Sequence, residues 1–502
     1  MQQTLEAMKS AIAGGGGSAA DRYEKAYTVA LGLVNYDLEA GAKLLFPWGQ
    51  SITPLRNMIA RRTSGRGDTA HRWKQITGIN VKNMPVGVSE GNRSGVVQTV
   101  ESDRLSAYAG FGSEDFVTFE AEYAAEGFDD VLALASENLL KSMMISEEQI
   151  ILNCNSSNLL GTTPTPTGAG SATNGALSDG TYTVVCVALT ADGLSRATVA
   201  GGVQQTITRI NADGSSDTIN GGTAQLSAQS SGVVLNAGTA VQRVTAHVTA
   251  VQGAVAYAWY LGTSTSHQYL QQITTLNSVN FNTTLVTTTQ DATTLAVADY
   301  SAVGAYGFDG LLYGAPFKTG LGAYYSALAT GTDGVGSQLT TDNAGGIAEI
   351  NTMLKDRWDN YRLSPDTIWL NSQEMISLKV LIVKNGGAPL LKLNANAESP
   401  ILDLVAGSRI GSYVNPVTQD VLAIRVHPFQ TAGTMLFTTK NAPYAGSRVT
   451  TLVEMLCRKE YYSTLWPIRT RKREYGVYVD ETLLNYFPPA FAAITNIAPT
   501  TN

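Results

Sequence analysis

Cysteine is scarce in this chain of 502 residues: there are three, Cys154, Cys186 and Cys457. An odd number at wide spacing argues against a disulfide framework or a zinc knuckle, and reads as three small buried hydrophobes. Histidine is nearly as rare, and His71, His247, His267 and His427 share no ligand spacing. No apolar run reaches the roughly eighteen residues of a membrane-spanning helix, and the N-terminal segment has no apolar stretch of secretory length. The chain is therefore expected to be made and folded in the cytoplasm, with no membrane partner. Also missing are H-E-x-x-H, the Walker A loop, G-x-S-x-G and a G-x-G-x-x-G turn after a strand, so neither an enzyme nor a cofactor is expected. Charged residues make up only 15% and sum to −7, so the surface as a whole repels nucleic-acid phosphates and anionic lipid. Contact with DNA would be local or weak.

What is present is 44% hydrophobic residues, enough for real cores in two or three domains. After "GGGG" at Gly14 to Gly17, a broken helical pattern from Asp21 to Leu45 is ended by the prolines of "FPWGQSITPL", which reads as an extended arm. From Ser64 to Gly112, short alternating runs such as "HRWKQITGINVKN" and "GVVQTVESDRLSAY" predict a long, polar, two-stranded excursion with little core of its own. Phe128, Val131, Leu132, Ala135, Leu139, Met143 and Ile150 then recur at helical spacing, which leaves Asp129, Asp130, Glu137, Lys141, Glu147 and Glu148 for a solvated face.

At Gly161 the style changes. "TPTPTGAG" has the composition of a linker, and between Gly161 and Tyr300 there are only nine charged residues. Runs such as "TYTVVCVAL", "RVTAHVTAV" and "VAYAWYL" alternate between turn residues, the pattern of a β-sandwich. Val255, Tyr257, Trp259 and Leu261 fall on one face. Beyond "YGFDGLLYGAPF" the earlier style returns: a helix with Ile347, Ile350, Leu354 and Trp358 on one face, "TIWL" as a buried strand, a second helix from Ser372, then the strands "DVLAIRVHPF" and "GTMLFTTK". Long strands rich in Val, Tyr and Leu end the chain. The fold class is α+β with an all-β sandwich insertion.

Candidate chemistry is thin. The carboxylate pairs Asp129/Asp130, Glu147/Glu148 and Asp480/Glu481 read as solvated faces rather than acid/base pairs. Arg66-Gly67-Asp68 resembles an integrin-binding tripeptide, but a turn in a polar hairpin accounts for it. The dense basic cluster Arg469, Arg471, Lys472 and Arg473 offers either phosphate contact or, with Glu474 beside it, charge pairing between subunits.

The order of these parts, closing with "YVDETLLNYFPPAFAAITNI", resembles the major capsid protein family of tailed bacteriophages. The likeness covers the chain outside the insert, roughly 360 residues, a size that suits one large α+β unit. It implies an N-terminal arm (1–63), an extended loop (64–112), a peripheral domain with its spine helix (113–160), an inserted sandwich (161–305), a return to the peripheral domain (306–342), an axial domain (343–445) and terminal peripheral strands (446–502). "DGTYTVVCVALTADGLS" and "VTAHVTAVQGAVAYAWYLGTSTSHQYLQQIT" look like immunoglobulin-like or fibronectin-type modules, which in such proteins project from the shell. The insert would touch surface glycans or add shell contacts, and its removal from Gly161 to Ala305 would leave assembly intact if it is peripheral.

The resemblance further implies self-assembly into hexamers and pentamers of an icosahedral virion shell enclosing double-stranded DNA, assembled in the host cytoplasm. Its partners would be a portal, a scaffolding protein and, in some shells, a decoration protein. No charged coiled-coil prefix precedes the arm, and a start at Met1 favours a separate scaffolding protein. The intersubunit contact candidates are Arg66, Asp68, Arg72, Lys74, Lys82, Glu90, Arg93, Glu101 and Arg104 of the hairpin with Arg469, Arg471, Lys472 and Arg473. Hinge candidates are Gly65, Gly67, Gly110 and Gly112. Some members join a hairpin lysine to an asparagine of a neighbour; Lys74, Lys82 and Asn485 are the residues available, and crosslinking is not expected. An encapsulin-like compartment shell and an adhesin working through its sandwich are the other readings the sequence admits.

Overall fold

The computed structural model describes residues 52–64, 67, 69–79, 87–93, 99–125, 130–238, 241–263, 265–384, 391–394, 403–406, 410–442, 449 and 451–500. The expected broken helix of residues 21–45 lies outside them.

Two sheets organise the chain outside the insert. The first places Ala60–Thr63, Val453–Leu465, Lys472–Asn485 and Ala109–Thr118 side by side, the short first strand running parallel to the second. Across it lies the helix Val131–Asn153, whose Met143 packs on Val477 and Val479. Asp130 starts this helix by accepting the Ala133 N–H at 3.0 Å, as N-cap carboxylates do. Its far end is closed from a distance: the N–H groups of Gly310, Leu311 and Leu312 donate to the carbonyls of Cys154, Ile151 and Leu152. A Cβ on Gly310 would sit 2.7 Å from the Ile150 carbonyl oxygen, so the chain needs glycine to approach this closely.

The second sheet has six strands, in the order Tyr324–Ala327, Ala492–Thr495, Met435–Thr438, Thr367–Leu370, Val421–Val426 and Ser412–Val414. Helices Ala348–Tyr361 and Ser372–Lys384 accompany it, and Ile350, Met353, Leu354 and Leu378 join Ile368, Leu370 and Phe437 in one core. "TIWL" is fully buried, as its apolar run requires.

The regular structure of residues 161–305 is mostly β, with one short helix, Ala191–Arg196. A three-stranded sheet (Ser278–Phe281, Arg243–His247, Thr167–Ser171) faces a four-stranded one (Tyr269–Thr274, Ala256–Gly262, Gly180–Leu189, Val233–Leu235). Val244, Ala246, Val279 and Phe281 meet Val184, Cys186, Tyr257, Trp259 and Leu261 between them. Ala256, Ala258 and Tyr260 are buried on the opposite face with Val185, Val187 and Leu270, so the strand Ala256–Gly262 is covered on both sides. Val255 leaves the expected face and joins the core of the outer chain. The supposed linker is structured as well: Thr163 is buried, takes the Ala188 N–H and donates to the Gln225 carbonyl, and Thr167–Ser171 is a strand.

The insert is joined to the rest along a broad seam. Tyr313, fully buried, donates to the Gly253 carbonyl at 2.8 Å and accepts the Ala191 N–H at 3.2 Å. Asn277 and Asn496 exchange two hydrogen bonds of 2.9 and 3.0 Å. At the crossing point Asn155 donates to the Ser301 carbonyl, while Asp309 accepts from the backbones of Ser156 and Ser157. The three cysteines are free and buried. Among the described residues no helix is long and apolar enough to cross a membrane.

Candidate assembly surface

Among the described residues the strands Ala70–Ile79 and Thr99–Ala107 pair only with each other, as a two-stranded ribbon. Strand alternation gives the ribbon two unlike faces. His71, Trp73 and Gln75, with Ser102, Arg104 and Ser106, are half-buried; Arg72, Lys74 and Ile76, with Glu101, Asp103 and Leu105, face out. The inner face holds the root. Ser106 Oγ lies 2.7 Å from Thr482 Oγ1, the Trp73 ring meets Tyr486 edge-on at 5.6 Å, and the Gln75 amide donates to the Tyr486 carbonyl.

On the outer face the register sets Arg72 opposite Leu105, Lys74 opposite Asp103 and Ile76 opposite Glu101. Ile76 is 63% exposed and Leu105 56%, and Val100 is exposed as well. Lys74 and Glu101 approach to 3.7 Å, both well exposed, a pair worth at most about 1 kcal/mol. Arg104 lies on the inner face instead, donating to the Gln75 side-chain Oε1 at 3.1 Å, and burial lowers its guanidinium pKa. Glu90 and Arg93 are exposed at the far end. Arg66, Asp68, Lys82 and Gly65 lie outside the described residues.

Gly67 is exposed, with open space where a Cβ would stand. Gly110 and Gly112 are inside the strand Ala109–Thr118, opposite Asp480 and Tyr478. Gly112 makes room for a ring of the same chain: an added Cβ would come within 2.1 Å of Tyr478 Cδ1.

The basic cluster is largely neutralised within the chain. Arg471 pairs with Glu120 at 2.6 Å, Lys472 with Glu474 at 2.6 Å and Arg473 with Glu122 at 2.8 Å; Arg469 is exposed. The sequence offered Glu474 but not Glu120 and Glu122, which come from a helix some 350 residues earlier in the chain. Beside the cluster Phe116, Leu465, Trp466 and Ile468 are all exposed, with the Lys472 ammonium 4.5 Å from the Phe116 ring centre. Of these the sequence singled out Trp466, with Tyr461 and Tyr462, as core or interface; Phe116, Leu465, Ile468 and the Ile76/Leu105 pair were missed. The available signal was apolar residues at polar positions of alternating strands.

The carboxylate pairs correct the sequence reading more sharply. Glu147, Glu148 and Glu481 are not on solvated faces but buried. Glu148 accepts the N–H groups of Leu55 and Arg56 at 2.8 and 2.7 Å, at the start of the short helix Pro54–Met58, and lies 2.7 Å from His427 Nε2. Glu147 takes Arg56 Nε at 2.7 Å, the Arg61 guanidinium and the Tyr461 hydroxyl. Arg61 spans to Glu481 through its other nitrogen. Burial alone lowers the Arg61 pKa, but Glu147 and Glu481 outweigh it and the net direction is up. Burial and the Glu147 carboxylate push Glu481 up to about 8, against the opposing pull of Arg61. Of the other pairs, Asp130 caps its helix, Asp480 binds Arg458, and Asp129 lies outside the described residues. Among the described residues no group of three or more His, Cys, Asp or Glu side chains could hold a metal.

No family model matches the chain, and no curated protein does. Among solved structures it is similar to the capsid of a native GTA particle (8% identity, TM-score 0.43, covering 94% of this chain and 99% of that one). It is also similar to the capsid of cyanophage A-1(L) (10% identity, TM-score 0.41, covering 93% and 98%). A third is the holo-SrpI encapsulin complex from Synechococcus elongatus (10% identity, TM-score 0.40, covering 94% and 96%).

Proposed function

We propose that this chain is a shell-forming subunit, the major capsid protein of a tailed bacteriophage, with a structural rather than catalytic role. The observation that carries the reading is the ribbon of Ala70–Ile79 and Thr99–Ala107, which among the described residues has no third strand and is anchored at its root, with Ile76 and Leu105 outward among charges. An isolated two-stranded ribbon has marginal stability in water. Its outer face is completed by a neighbouring copy, repeated around hexamers and pentamers by heterologous contacts that close.

In this reading Arg72, Lys74, Glu90, Arg93 and Glu101 pair across subunits together with exposed Arg469, and Gly67 lets the ribbon change its angle. The net negative chain encloses double-stranded DNA without gripping it. A separate scaffolding protein, a portal and, where present, a decoration protein complete the particle in the host cytoplasm, and the outward part of the insert contacts glycan. Negative-stain electron microscopy with light scattering on the purified chain tests the proposal. Closed shells or ring-shaped capsomers are expected; a uniform monomer or small dimer at every salt concentration, with or without scaffolding protein, overturns it.

A further inference from the structure

Two guanidinium groups and three carboxyl groups share the buried space between the strand Ala60–Thr63, the helix Val131–Asn153 and the strands Val453–Leu465 and Lys472–Asn485. Arg56 and Arg61 balance two of the carboxylates. His427 adds no third cation: its Nδ1 accepts the Phe429 N–H at 3.2 Å, so Nε2 carries the hydrogen it gives to Glu148. One carboxylate is in excess.

The hydrogen bonds say which. Glu148 has three donors, and both oxygens of Glu147 are engaged. Glu481 is fully buried, its Oε2 is held by Arg61 with the Cys457 thiol at 3.7 Å, and its Oε1 has no partner. Tyr461 donates to Glu147 and leaves Glu481 without that help. Asp480, the next residue, turns to Arg458. Two carboxylates joined by one guanidinium in a dry site repel each other unless one is neutral.

We propose that Glu481 holds a proton at neutral pH beside the Glu147 carboxylate, and that removing it loosens the strand Ala60–Thr63 from the long sheet. This makes the attachment of that strand, which leads directly into the ribbon, sensitive to alkali. The device lies inside one subunit and does not depend on the capsid reading.

The sign follows from the shift. A carboxyl whose folded pKa is raised from 4.5 to about 8 binds more protons folded than open. Its contribution is fully present below pH 4.5 and is lost as the pH rises toward 8. Opening of the strand should therefore increase about tenfold per pH unit between roughly pH 6 and 7.5 and level off above 8.

The test is hydrogen exchange of the Ala60–Thr63 amides in the full chain from pH 6 to 9, corrected for intrinsic exchange, beside Glu481→Gln. The wild type should lose protection with that slope, while Glu481→Gln, which keeps a neutral group in place, should show none of it. A flat wild-type profile, or an equal slope in the variant, overturns the proposal. If Glu481→Gln yields no folded protein, infrared titration of the wild type decides. A protonated-carboxyl band disappearing with a midpoint near 8 supports the proton on Glu481. A midpoint in the ordinary carboxylate range overturns it.

Discussion

Removing Gly161 to Ala305 behind a short linker tests whether this stretch is peripheral to the rest of the chain. A peripheral domain would leave the remainder intact. The seam says otherwise. Deletion uncovers the rings of Tyr313 and Phe317, which are at most 1% exposed, and each ring is worth about 1.5–3 kcal/mol of burial. It also removes the hydrogen bonds Tyr313 to Gly253, Ala191 to Tyr313, the Asn277–Asn496 exchange and Asn155 to Ser301, at about 1 kcal/mol each. Together this is about 8–11 kcal/mol, comparable to the roughly 5–15 kcal/mol that holds a typical domain. We expect the deletion variant to lose its cooperative thermal transition and to elute as aggregate, judged by near-UV circular dichroism and light scattering. Tyr313→Phe keeps the ring and removes only the hydroxyl, and should cost about 1–3 kcal/mol in denaturant unfolding. A deletion variant melting cooperatively at the full chain's temperature, with the amides of Leu312 and Phe317 still protected, would refute the reasoning.

Three further outcomes are expected. Gly112→Ala should destabilise by about 1–3 kcal/mol, because the Tyr478 ring must move, whereas Gly110→Ala meets nothing within 4 Å and should be nearly neutral; comparing their unfolding midpoints checks this. Glu148→Ala orphans the amides of Leu55 and Arg56 together with His427, and should cost about 3–5 kcal/mol, read as loss of exchange protection at Leu55 and Arg56. Ile76→Asp with Leu105→Asp should leave the folded chain's stability within about 0.5 kcal/mol, since both side chains are exposed, and, under the proposed function, should abolish shell formation by light scattering.

The elements whose periodicity reports on their own burial were legible in the residues. The helix that begins near Val131, buried "TIWL", the alternating ribbon and the inward set Tyr257, Trp259 and Leu261 all stand where the pattern puts them. A period of 3.6 or 2 is a local consequence of backbone geometry, so one sequence suffices to read it. Composition likewise marked the uncharged stretch after Gly161 as β. Only the tertiary structure decided what each charge meets. Glu147 and Glu148 look like any solvated pair on a helix until Arg56, Arg61 and His427 arrive from segments about 90 and 280 residues away. The basic cluster looks available until Glu120 and Glu122 are placed beside it. Gly112 looks like a hinge until Tyr478 lies over it. Burial of a charge depends on partners brought together by long-range packing, and nothing in the local sequence encodes that distance.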